Sequence, residues 1–117
     1  MSKPMRPIGW VKAARRDYEA FPPTARDRIN TALTIAASGS KADISKPMKG
    51  LGPGVMEVAV RYRMDAWRVV YVTDVSGTLW VLHAFQKKSK RGIRTPKPEI
   101  DLVKARLRRL RRELTND

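Results

Sequence analysis

The chain has 117 residues, enough for one domain with a modest two-layer core and too few for two. Its 42% hydrophobic and 31% charged residues are the balance of a folded domain, while 25 Lys and Arg against 11 Asp and Glu leave a charge of +14 that attracts polyanions. The lack of cysteine excludes disulfides, thiolate metal sites and cysteine nucleophiles, and a single histidine excludes a His-cluster metal site; no cofactor or metal is expected.

Met1 to Trp10 lacks the apolar centre of a signal peptide, and no run reaches the roughly 18 apolar residues of a membrane span. A cytoplasmic protein without membrane contact is expected. Ile8 to Trp10 reads as a short strand. Val11, Ala14, Tyr18 and Phe21 then recur at three- and four-residue steps, one apolar stripe of a helix. Pro22 and Pro23 fit the first turn of a second helix, whose face is Ala25, Ile29, Ala32, Leu33 and Ala36 and which Gly39 closes.

Beyond Ala42 the period changes. Gly50, Gly52, Pro53 and Gly54 make a permissive loop, and from Met56 to Tyr62 apolar residues alternate with Glu57, Ala59 and Arg61. Asp65 is expected in the following turn. Trp67 to Thr73 and Leu79 to Phe85, joined by a turn over Asp74 to Gly77, complete an antiparallel meander. After a basic loop from Gln86 to Arg94, Thr95 caps a last helix with Pro96 at its first position, and Ile100, Val103, Leu107, Leu110 and Leu114 form its stripe. The expected class is α+β, a single domain over residues 1–117: two N-terminal helices packed on a small antiparallel sheet, with a C-terminal helix.

Metal-free RNA cleavage needs a base for the 2′-hydroxyl, cations for the crowded phosphorane and an acid for the departing 5′-oxygen. Arg and Lys supply the cations and a lysine with a lowered pKa supplies the base, which makes a basic cleft chemically sufficient without making it catalytic. Arg68 stands in a strand beside Val70 and Val72, where a charge needs a partner or a cleft; one reading is a structural arginine paired with Glu57. His83 is the natural acid or base, but its alternation with Leu79, Val81 and Phe85 more often marks a satisfied core histidine. Tyr71 has the same ambiguity. Lys87, Lys88, Lys90, Arg91 and Arg94 follow a strand ending in Phe85, so phosphates and a stacked base can be held together there, with Lys46, Lys49 and Arg61 flanking; the bland alternative is a solvated basic loop.

The blocks Lys46-Pro-Met-Lys-Gly-Leu-Gly, Gly54-Val-Met-Glu-Val, Trp67-Arg-Val-Val-Tyr, Leu82-His-Ala-Phe-Gln-Lys-Lys-Ser and Thr95-Pro with Glu99-Ile occur in that order. Together, from about Pro7 to Leu114, they resemble the phage-derived, HigB-like branch of the RelE/ParE toxin superfamily. The resemblance implies a type II toxin that cleaves mRNA in the ribosomal A site by 2′-hydroxyl attack. It further implies a helix-turn-helix, HigA-like antitoxin, with operator DNA bound only through the complex of the two. By position, Arg68 matches the arginine that holds the scissile phosphate and Lys87 and Lys88 match the basic pair after the penultimate aromatic, with Lys87 or His83 moving the proton. Glu57 and Tyr71 match cleft-side positions. Ala59 stands where many relatives carry a basic residue, so Arg61, Lys46 or Lys49 has to supply that charge. Two other classes use the same composition: a non-catalytic RNA- or DNA-binding protein, and a ParE-like gyrase inhibitor on the same fold.

Overall fold

The computed structural model describes residues 5–88 and 94–115. The short apolar run at the N-terminus forms β1 (Ile8–Trp10), and the two helical stripes form α1 (Lys12–Glu19) and α2 (Pro23–Ala37). Pro23 takes the first position of α2, where its missing N–H costs nothing, and Gly39 follows the helix with φ +96°, the left-handed conformation glycine adopts without strain. The predicted face of α2 is buried throughout, from Ala25 to Ala36. Truncating its Ile29 or Leu33 to alanine is expected to cost about 2–5 kcal/mol.

The chain then enters a sheet of β2 (Ser45–Pro47), β3 (Val55–Tyr62), β4 (Asp65–Val75) and β5 (Thr78–Lys87), and ends in α3 (Lys97–Thr115). The strand order is β1-β5-β4-β3-β2. The expected meander is present in β3, β4 and β5, and two short edge strands extend it: β2 pairs antiparallel with β3, and β1 runs parallel to β5. Sequence periodicity misses β2 because three residues containing a proline give no alternation to read. The first hairpin also differs from expectation. Its turn is Arg63–Met64, both at positive φ, and Asp65 is already the first residue of β4, paired with Tyr62. The second turn is shorter than expected: Asp74 and Val75 end β4, the turn is Ser76–Gly77 at positive φ, and Asp74 Oδ1 accepts from the Gly77 N–H at 2.8 Å.

Helices cover both faces. On one, α1 and α2 pack on Val58, Val60, Val69, Tyr71, Leu79 and Val81; on the other, Val103, Leu107 and Leu110 of α3 pack on Val55, Val70, Val72 and Leu82. Strand alternation therefore sends each side chain of the central strands to the α1/α2 face or to the α3 face. One bulge changes that assignment. Tyr71 pairs with Val81 and Val70 with His83, so Leu82 is an extra residue, and His83 leaves the face of Leu79 and Val81 for the α3 face. The expected shared face of His83 with Leu79 and Val81 is thus corrected, while Phe85 stays beside it, stacked at 4.9 Å between ring centres.

Candidate nucleic-acid site

Because β2 to β5 are hydrogen-bonded in register, side chains cross the α3 face of the sheet in ranks. Lys46, Glu57, Val70 and His83 make one rank, Ala59, Arg68 and Phe85 the next, and Arg61, Ala66 and Lys87 a third. Arg68 lies at the centre, on the middle strand of the sheet. The small side chain of Ala59 and the ring of Phe85 are its cross-strand neighbours. The position at which the resemblance implies a cation is thus held by the small side chain of Ala59, directly across from Arg68.

Arg68 is 9% exposed, a burial that a charge tolerates only with a strong partner. Its Nη1 donates to Glu57 Oε1 at 2.6 Å, and the other oxygen of Glu57 accepts from Thr95 Oγ1 at 2.5 Å. The expected role of Thr95 as a helix cap is therefore corrected. The helix begins at Lys97 with Glu99 N–H donating to the Pro96 carbonyl, and the threonine hydroxyl is committed to the carboxylate on the sheet.

His83 is 4% exposed and bridged on both sides. Its Nε2 lies 2.7 Å from Glu99 Oε2, and Arg106 Nη1 lies 3.2 Å from its Nδ1 while also donating to the Leu82 carbonyl at 2.9 Å. A guanidinium has no acceptor, so Nδ1 must accept and the imidazole proton sits on Nε2, donated to Glu99. Both ring nitrogens are in use. His83 thus fixes the start of α3 to the sheet.

Lys87 projects from the end of β5, and its Nζ donates to the Arg94 carbonyl at 2.5 Å. Loss of hydration and the nearby Arg68 charge lower its pKa, against a smaller upward pull from Glu57. Lys46, Lys49, Arg61, Lys88 and Arg94 are exposed, and Phe85 is half-buried. Lys90 and Arg91 lie outside the described residues. Tyr71 does not join this group: it is buried on the α1/α2 face, away from Arg68, and burial pushes its phenol up. Glu99 and Arg106 went unmarked in the sequence as site residues, since each reads as part of a solvated helix face until the bulge brings His83 beneath them.

This architecture, a twisted sheet with two helices on one face and a C-terminal helix closing the other, is the RelE-type toxin fold. It is similar to a free-state arginine-to-alanine mutant of the E. coli toxin RelE, with 12% identity over 92% of this chain and 99% of that one and a TM-score of 0.61. The isolated E. coli RelE toxin matches with 16% identity over 75% of this chain and 88% of that one, at a TM-score of 0.56. These likenesses concern the fold alone. No curated protein sequence matches significantly. Residues 16–108 match the family described as phage-derived protein Gp49-like, and the chain belongs to that family, which is of the RelE/HigB toxin type.

Proposed function

We propose that the protein is the toxin of a type II toxin–antitoxin system and an endoribonuclease that cleaves mRNA in the ribosomal A site, stopping translation in the cytoplasm. The observation that carries this reading is Arg68, a nearly buried cation at the centre of a sheet face bordered by Lys46, Arg61, Lys87 and the Phe85 ring. Such a face suits a single-stranded segment, with phosphates on the cations and a base against the aromatic.

In this reading the 2′-hydroxyl oxygen attacks the adjacent phosphorus, and the P–O5′ bond breaks to leave a 2′,3′-cyclic phosphate. Arg68 and Lys88 stabilise the charge that builds on the phosphorane oxygens. Lys87, whose pKa is already lowered, takes the 2′-hydroxyl proton and passes it to the departing 5′-oxygen, which leaves as a 5′-hydroxyl. His83 was the alternative proton carrier, and its two engaged nitrogens favour giving that step to Lys87. Lys49, Arg94 and the stretch containing Lys90 and Arg91 extend the phosphate-binding rim. A HigA-like helix-turn-helix antitoxin neutralises the toxin, and operator DNA is bound through their complex.

Purified ribosomes programmed with a defined mRNA test the reading. The parent protein is expected to yield fragments ending in 2′,3′-cyclic phosphate, and Arg68→Ala and Lys88→Ala to lose them. Variants that cut as well as the parent would remove both residues from the chemistry, and intact mRNA with the parent would remove the activity itself.

A further inference from the structure

A second surface lies apart from the Arg68 face. Where the edge strand β1 meets α1 and the distal half of α3, the molecule carries a groove of about 730 Å³. Its floor is apolar: Trp10, Trp80, Leu110 and Leu114 line it. The floor is also built to fit, because Trp80 lies over Gly9 so closely that a Cβ there would stand 2.8 Å from the indole ring. The rim has the opposite character. Lys12 and Arg16 of α1 face Arg106 and Arg109 of α3 across it, and Glu113, the one carboxylate among the described lining residues, is paired with Arg109 at 2.9 Å.

We propose that this groove is a docking site for an acidic amphipathic segment of a partner protein, one that places leucine-like side chains on the tryptophan floor and carboxylates on the basic rim. The volume falls within the range of pockets that bury a substantial ligand. Charge decides between occupants. A second copy of this chain would bring another +14 against the four rim cations, whereas an acidic segment neutralises them. RNA would answer the rim but leave the aliphatic part of the floor, Leu110 and Leu114, without an apolar partner. Arg106 gives the site added consequence, since the same guanidinium that lines the groove also donates to His83 and to the Leu82 carbonyl. The inference stands whether or not the Arg68 face cuts RNA.

Tryptophan fluorescence titration tests it with three probes: a short helical peptide with leucine on one face and glutamate on the others, the same peptide with lysine for glutamate, and a single-stranded oligouridine. The glutamate peptide is expected to bind and the lysine peptide to fail. Arg16→Glu with Arg109→Glu should weaken binding about tenfold or more, whereas Arg28→Glu with Lys41→Glu, an equal charge change at exposed positions outside the groove, should leave it within about twofold. Equal losses in the two double variants, equal binding of the two peptides, displacement of the peptide by oligouridine, or self-association of the chain that the groove variants abolish would each overturn the proposal.

Discussion

Glu57 holds the Arg68 guanidinium at 2.6 Å from the neighbouring strand, while its second oxygen takes the hydroxyl of Thr95 from the segment leading into α3. One carboxylate thus joins the centre of the sheet to the start of the last helix. With both partners largely buried, removing one leaves the other's charge poorly compensated. Glu57→Ala is expected to lose on the order of 3 kcal/mol in urea unfolding. The double variant Glu57→Ala/Arg68→Ala should recover part of that loss, a coupling of about 1–3 kcal/mol. Strictly additive losses would show that the pair does not act as a unit.

Much of this arrangement was legible in the sequence because it follows from short-range periodicity. The stripes of α1, α2 and α3 and the alternation of β3 are local patterns, whereas the shared face of Glu57 and Arg68 depends on the register between β3 and β4. The pairing of these two was one of the readings their alternation allowed. What escaped was non-local. The bulge at Leu82 is a mismatch between two strands, invisible in either alone, and it moves His83 to the other face and towards Glu99 and Arg106. Thr95 looked like a helix cap because threonine before proline usually is one; its actual partner is 38 residues away. Tyr71 was drawn into the site by resemblance, and strand alternation sends it to the opposite face.

The bridging of His83 makes its protonation pattern observable. With Arg106 donating to Nδ1, the proton-bearing nitrogen should be Nε2, giving a pyridine-type Nδ1 and a pyrrole-type Nε2 in long-range ¹⁵N correlation spectra. Arg106→Ala removes the donor to Nδ1 and should shift the resonance of that nitrogen while leaving the Nε2 contact with Glu99 in place. A doubly protonated ring in the parent protein would contradict the assigned hydrogen-bond directions.

Lys87 offers a test of the electrostatics around Arg68. Its pKa lies below the usual 10.5 through desolvation first and the Arg68 charge second, with Glu57 opposing. Removing a like charge must raise it, and removing an opposite charge must lower it further. NMR titration of the Lys87 side chain should accordingly move to higher pH in Arg68→Met and to lower pH in Glu57→Gln. If single-turnover cleavage depends on neutral Lys87, the rate of the parent rises with pH along the same titration, and Lys87→Arg loses that limb. A rate that rises identically in Lys87→Arg would assign the proton to another group.

Alkaline stability should report on the other face of the sheet. The Tyr18 hydroxyl lies 2.6 Å from Asn30 Oδ1 and 2.9 Å from the Arg26 carbonyl, two acceptors that a phenolate would repel. Burial, the leading cause, pushes its pKa up from 10.0 to about 12. The folded state therefore keeps the proton in a range where the unfolded chain has already released it. Its contribution is complete below pH 10.0 and is lost as pH rises towards about 12. Two units at 1.36 kcal/mol each amount to roughly 2–3 kcal/mol. Urea midpoints should fall across that window in the parent protein, over and above any decline that lysine deprotonation causes. Tyr18→Phe, which keeps the ring against Trp10 and Phe21 but has no proton to lose, should retain only the lysine-dependent slope. Parallel slopes in the two proteins would mean that the phenol ionises in the folded state as readily as in the unfolded chain.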